Sequence, residues 1–379
     1  MNKKEVKKAP ALRFKGFTND WEQRKLKDCL EINSGRDYKH LHSGNIPVFG
    51  TGGYMLSVDE ALSYKNAIGI GRKGTIDKPQ LLIAPFWTVD TLFFLTPEND
   101  TDLYFLFYFF QKVNWKKYDE STGLPSLSKK TISTIKIKTP SKNEQIKIGT
   151  LIQKVNNLIS LQQRKLKLLR TLKSGLSFKL FNKKHLNNLS QISLDQIGQT
   201  YSGLTGKSKK DFGHGHAFYV SYLNVNQNEI GNPKQIDRIE IDKKQNLVQK
   251  NDIFFTISSE TPEEVGLTSL WPVSCKNLYL NSFCFGFRIN TKMFIPLYLG
   301  YLFRSEYFRE KVLPLAQGIS RYNLSKNNVL KIKIGQEEIA IQEKYAKVMN
   351  DLDSDILRQK KKVKELKLCK KFLLQNMFI

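Results

Sequence analysis

The chain is written twice, and that duplication limits what it can fold into more than any other feature. "PSLSKKTISTIKIKTPSKNEQIKIGTLIQKV", from Pro125, lies over "YNLSKNNVLKIKIGQEEIAIQEKYAKVMNDL", from Tyr322, at a constant offset of 197 residues. Leu127-Ser128-Lys129 meets Leu324-Ser325-Lys326, and Ile135-Lys136-Ile137 meets Ile332-Lys333-Ile334. Gln145 meets Gln342, and Phe181 meets Phe378. The fronts of the halves correspond at a different offset, "KLKDCLEINSG" (Lys25–Gly35) with "SLDQIGQTYSG" (Ser193–Gly203). "LYFLFYFFQ" and "LYLGYLFRSEYF" are apolar, helix-like runs, each before a glycine-containing loop, "STGLPSLS" or "AQGISRYNLS". Between these landmarks the sequences diverge, so the order is variable block, fixed block, variable block, fixed block.

The fixed blocks read as long helices. Ile148, Val155, Gln162, Leu169 and Leu176 recur every seven residues, with Leu151, Leu158 and Leu172 three after them and Ile152, Ile159, Leu166 and Leu180 widening the stripe. The second block repeats the period at Tyr345, Leu352, Gln359, Leu366 and Leu373. A helix from Glu144 to Phe181 runs roughly 55 Å at 1.5 Å per residue, and its apolar stripe needs a cover. The simplest cover is the other copy, packed as a coiled coil. Gln162 and Gln359 share one seam position: either they set register at a cost in stability, or the seam drifts and both face water.

The variable blocks carry short strand-like runs: "IPVFGTGG", "NAIGIG", "LLIAPFWTV", "DTLFFLT", then "HAFYVSYLNV", "DIFFTIS" and "SFCFGFRI". Each predicts a compact mixed α/β domain, with "NKKHLNNLSQ" as the linker into the second. The fold class expected is α+β: two mixed α/β domains separated by two long antiparallel coiled-coil helices, as a pseudo-two-fold internal repeat. The boundaries expected are 1–140, 141–182 (helical spacer), 183–334 and 335–379 (helical spacer).

Sixty-one Lys and Arg against 35 Asp and Glu leave a net charge of +26. Either an acidic partner neutralises this, nucleic acid first, or the chain comes from a basic proteome. The first fixed block is one-sided, with Lys147, Lys154, Arg164, Lys165, Lys167, Arg170, Lys173, Lys179, Lys183 and Lys184 against Glu144 alone from Glu144 onward. The four cysteines form no C-x-x-C pair, which fits reduced thiols. "MNKKEVKKAPALRF" has no signal-peptide core, and "LYFLFYFFQKVNW" is too short to span a bilayer, so a cytoplasmic protein with no membrane partner is expected.

Three motifs mimic chemistry. Gly69, Gly71 and Gly74 in "AIGIGRKGTIDKPQ" spell G-x-G-x-x-G, but a dinucleotide cradle needs a helix directly after it. Thr75 and Ile76 are weak helix formers and Pro79 disfavours helix at Lys78, so a turn presenting Arg72 and Lys73 is expected. "SGLTGKS" has Tyr201 where a phosphate loop needs glycine. No cluster of acids or cysteines accompanies the pairs His40/His42 and His214/His216, which read as surface loops. No catalytic or metal residue is expected.

What remains is nucleic-acid binding, where basic and polar residues sit beside aromatics in loops. In the first variable block the candidates are Arg36, Lys39, Tyr54, Arg72, Lys73, Thr75 and Lys78; its following loop adds Ser126, Lys129 and Lys130. In the second half they are Lys207, Ser258, Ser259 and Thr261, then Arg321, Tyr322 and Lys326. For Arg72 and Lys73, phosphate contact comes ahead of base readout. A methyltransferase or nuclease with unfamiliar motifs, and a basic coiled-coil adaptor for RNA or protein, stay open as alternatives.

"LRFKGFTNDWEQRKLKDCLEINSG" (Leu12–Gly35), "IPVFGTGGY" (Ile46–Tyr54), "STGLPSLSKKTISTIKIKTPSKNEQIKIGTLI" and "LKSGLSFKLF" resemble the specificity subunit of type I restriction-modification enzymes. The second copy departs from the pattern: it has "EEIAIQEKY" for "SKNEQIKIG" and no "VFGTGG". The resemblance implies a non-catalytic subunit that binds double-stranded DNA, each target-recognition domain reading one half of a split site. It implies that the helices set the gap and dock two methyltransferase subunits, through which motor-nuclease subunits join. S-adenosylmethionine, ATP and Mg would belong to those partners, and this chain would hold no cofactor.

Overall fold

The computed structural model describes residues 9–379, and the first residues of the start read above lie outside it. The chain forms two compact units: Met1–Lys165 with Gln359–Ile379, and Leu166–Arg358.

In the first unit, β1 (Glu22–Lys25) pairs antiparallel with β9 (Lys136–Thr139). β2 (Leu30–Ser34), β5 (Ala67–Gly71), β6 (Gln80–Leu82) and β8 (Leu92–Pro97) form an antiparallel sheet in the order β2-β8-β5-β6. β3 (Ser43–Gly50) and β4 (Gly53–Val58) make a hairpin, and β7 (Trp87–Thr88) runs parallel to β3. All five residues of "AIGIG" are buried, as a central strand covered on both faces requires. α1 (Leu103–Phe110) starts at Asp102, whose Oδ1 accepts from the Phe105 N–H at 2.8 Å. α2 (Lys129–Thr134) starts at Ser128 in the same way, and α3 (Lys142–Leu180) follows β9.

The second unit repeats this topology. α4 (Lys183–Asn188) leads to β10 (Gln191–Ser193), which pairs with β20 (Lys333–Gly335). β11 (Gly198–Ser202), β14 (Ile253–Thr256), β16 (Thr268–Leu270) and β18 (Cys284–Ile289) lie in the order β11-β18-β14-β16. β12 (Phe212–Val220) pairs antiparallel with β13 (Ile236–Ile239) and parallel with β17 (Leu278–Leu280). β15 (Ser258–Ser259) pairs with β19 (Tyr322–Asn323). α6 (Pro296–Leu302), α7 (Glu306–Val312) and α8 (Lys326–Leu330) precede α9 (Ile339–Asn376). Phe255 stacks on Phe285 at 5.0 Å at the centre of the core.

Two expectations change here. "HAFYVSYLNV" is not one strand: β12 stops at Val220, Ser221 caps the next turn, and α5 spans Tyr222–Gln227. Where the first unit turns tightly from β3 to β4, the second inserts this helix, which explains the missing "VFGTGG". The linker "NKKHLNNLSQ" is also folded: Asn182 caps α4, and Leu186 is fully buried.

Each long helix buries a 4-3 stripe rather than the wider band expected. In α3 it runs through the buried Ile148, Ile152, Ile159 and Gln162 and the half-buried Val155, Leu166, Leu169, Lys173 and Leu176, while Leu158 and Leu172 are 39% and 50% exposed. In the first unit the start of α3 packs with Leu373, Met377 and Phe378 from the end of α9, so the two segments are antiparallel. In the second unit Lys173 bridges Glu229 and Asp353, both at 2.6 Å, again with antiparallel segments. Gln162 and Gln359 do not face water: the Gln359 Nε2 donates to the Gln162 side-chain oxygen at 2.7 Å and to its carbonyl at 3.0 Å. Gln359→Ala strands a buried amide and is expected to cost about 1–3 kcal/mol. Leucine at both positions is expected to match or exceed the parent stability. Urea midpoints of the two variants check both.

Candidate nucleic-acid interface

In the first unit the loop leaving β5 is stitched to the loop before α2. Lys73 bridges Ser126, the Gly74 N–H donates to the Pro125 carbonyl at 2.8 Å, and the Leu127 N–H donates to the Arg72 carbonyl at 2.9 Å. Gly74 has φ +88°, and a Cβ on Gly71 would meet the Thr75 carbonyl oxygen at 2.1 Å. The three glycines therefore make a strand end and a left-handed turn. No helix follows; the chain returns as β6.

These loops line a groove of about 390 Å³ formed by Ser34, Arg72, Lys73, Phe93, Glu120, Ser126, Leu127, Ser128 and Lys129. Two acids order its far wall. Asp119 accepts from the N–H groups of Ser121 and Ser126, which hold its carboxyl below the usual range. Glu120 accepts from the Ser128 and Thr131 hydroxyls. Of the sequence candidates, Arg72, Lys73, Ser126 and Lys129 come together here. Thr75 and the exposed Lys78 continue the turn, and Lys130 is exposed one residue beyond Lys129. Tyr54, 63% exposed, sits on a hairpin tied to this loop by Gln80, whose Nε2 donates to the Gly50 carbonyl at 2.9 Å. Arg36 and Lys39 lie outside the groove; the Arg36 main chain is bound to β7 through Thr88 and the Trp87 indole.

In the second unit the matching loops pair as β15 and β19, and the Leu324 N–H donates to the Ile257 carbonyl at 2.9 Å, as Leu127 does to Arg72. Tyr222, Ser258, Ser259, Glu260, Glu264, Phe283 and Arg321 line a groove of about 340 Å³. Ser259 donates to Glu264 at 2.9 Å, and the Thr261 N–H reaches the Ser259 hydroxyl at 3.3 Å. Tyr322 belongs to β19, and Lys326 donates to the Ser202 hydroxyl at 2.6 Å. Lys207 stands apart, paired with Asp242 at 2.7 Å; that contact, with the Lys244 N–H and Gln245 amide, holds the Asp242 carboxyl at about 2. The first groove is basic, while the second sets two glutamates against one arginine.

Sequence reasoning missed Phe93, Glu120, Tyr222 and Phe283, which enter from distant strands and loops. Their identities carry no signal of that placement. His214 contacts Glu240 and the Lys210 carbonyl, and among the described residues no group of three or more His, Cys, Asp or Glu could hold a metal ion. Nor is any described helix long and apolar enough to cross a membrane.

Residues 18–171 match the model of the type I restriction modification DNA specificity domain. The fold resembles the S subunit of a type I restriction-modification system from M. genitalium, at 18% identity and TM-score 0.69, over 98% of this chain and 99% of that one. A chain from a structure of type I R-M system assembly and conformational transition matches at 11% identity and TM-score 0.52, over 96% and 98%. The HsdS subunit from Thermoanaerobacter tengcongensis matches at 13% identity and TM-score 0.47, over 94% and 96%. At such identities the first two of these structures show the fold alone, two α/β domains with long helices. Residues 18–171 of this chain are thus similar to the type I restriction modification DNA specificity domain.

Proposed function

We propose that this chain is the non-catalytic DNA-reading subunit of a type I restriction-modification complex, with recognition domains at 1–140 and 183–334 and helical spacers at 141–182 and 335–379. One observation carries this: a chain of net charge +26 builds the same loop platform twice, at Lys73/Ser126 and at Ser258–Ser259/Tyr322–Asn323. A split DNA target read by one platform per half-site gives that duplication a use. The long helices set the gap and dock two methyltransferase subunits, which bring motor-nuclease subunits. S-adenosylmethionine, ATP and Mg act in those partners, in the cytoplasm.

The test maps methylated adenines in DNA from cells carrying this chain with its methyltransferase subunit. The expected result is a bipartite motif with a constant gap. Exchanging residues 18–135 for another recognition domain is expected to change one half-site and leave the other. An unchanged motif after the exchange, or methyl transfer by the purified chain alone, would overturn the proposal.

A further inference from the structure

The geometry assigns Arg72 to base reading: we propose that its guanidinium donates to the O6 and N7 edge of a guanine in the half-site read by the first unit. This rests on the DNA-reading function proposed above and separates Arg72 from its neighbour Lys73, for which phosphate contact stands.

Arg72 is held at three points. Its N–H donates to the Thr91 carbonyl at 2.7 Å, its carbonyl accepts from the Leu127 N–H at 2.9 Å, and its guanidinium lies 6.0 Å from the centre of the Phe93 ring. The exposed fork is thus fixed at its base and steadied over an aromatic face at the groove. Among the described residues no carboxylate forms an ion pair with it: Glu120, in the same groove, is occupied by Ser128 and Thr131. A planar, pre-set fork suits the two parallel acceptors of guanine, whereas a phosphate is served as well by a mobile ammonium such as Lys73.

The second unit supplies the comparison. Ile70 pairs with Phe93, and Phe255 pairs with Phe285. That register puts Ile257 at the place of Arg72, and its backbone contacts agree: the Ile257 N–H donates to Phe283, the counterpart of Thr91, and its carbonyl accepts from Leu324. Phosphates are the same in every half-site, so a contact to them has no reason to differ between two copies of one topology. A guanidinium in one copy and an aliphatic side chain in the other is the difference expected where bases differ.

The experiment uses the full chain in complex with its methyltransferase subunits. It measures competition by duplexes in which each base pair of the mapped target is replaced in turn, at several salt concentrations. Wild type is expected to demand G·C at one pair of the first unit's half-site. Arg72→Ala and Arg72→Lys are both expected to lose that demand by about ten- to a hundredfold, with the other pairs still discriminated. Lys73→Ala is expected to weaken all duplexes alike and flatten the salt dependence by about one charge. If Arg72→Ala weakens all duplexes alike, the side chain contacts phosphate and the inference falls; if Arg72→Lys keeps the full demand for G·C, the planar fork is not what reads the base and the inference falls as well. If wild type discriminates and Arg72→Ala discriminates equally at every pair, only this inference falls. A wild-type complex with no preference would remove the proposed function as well.

Discussion

Asp252→Ala is expected to destabilise the second unit by about 3–5 kcal/mol, the cost of removing one partner from a buried ion pair. Asp252 is 1% exposed. Its carboxylate accepts from Arg288 Nε at 2.9 Å and Nη2 at 2.8 Å, from the Tyr201 hydroxyl at 2.7 Å and from the Gln249 N–H at 2.7 Å. Burial and this carboxylate push the Tyr201 hydroxyl far above its ordinary pKa, so it stays a donor. The cluster ties β11 and β18 to the residue opening β14, the strand that runs into the Ser258–Glu264 loop. Adding Arg288→Met to Asp252→Ala is expected to recover part of the loss, because the stranded charge goes with it. Chemical denaturation measures both variants. A loss under about 1 kcal/mol for Asp252→Ala would mean that the cluster does not support this sheet.

The second large effect sits at the residue pair Gln145 and Gln342. Gln342 is fully buried. Its side-chain oxygen accepts from the Ile295 N–H at 2.8 Å, at the start of α6, and its Nε2 donates to the Met293 and Glu337 carbonyls at 3.0 and 2.8 Å. Gln145 does the same in the first unit: it accepts from the Asp102 N–H at 2.9 Å, at the start of α1, and donates to the Pro140 carbonyl at 3.0 Å. Each amide joins a long helix to the N-terminus of the apolar helix before it. Replacing either by alanine leaves two or more buried backbone groups without partners, at an expected cost of about 2–4 kcal/mol each. The glutamate variants test the reason: they keep the acceptor but lose the donor, so they should recover little. Urea denaturation of each variant decides it, and an alanine variant as stable as wild type would show that water replaces the amide.

The residues that sequence comparison aligned, Gln145 with Gln342 and Ser126 with Asn323, hold matching places in the two units, because the repeat preserves what the backbone demands. Helical blocks, strand runs and the excess of positive charge were legible for the same reason: each is a local pattern of side-chain period or composition. The face of the stripe was not. Leu158 and Leu172 are as apolar as Ile152 and Ile159, and only packing decides which of two adjacent rows is covered. α5 escaped notice because "SYLNV" suits strand and helix alike until Ser221 caps it. The grooves lay further still from the sequence. Phe93 steadies Arg72, and Phe283 lines the second groove, only because sheet order carries distant strands beside the loops. The chain alone determined that it would fold as two related halves with a basic surface. Which basic residues stand free at a groove and which are spent on carboxylates, as Lys207 is on Asp242, was decided by tertiary structure, since charge pairing depends on distances that no linear spacing encodes.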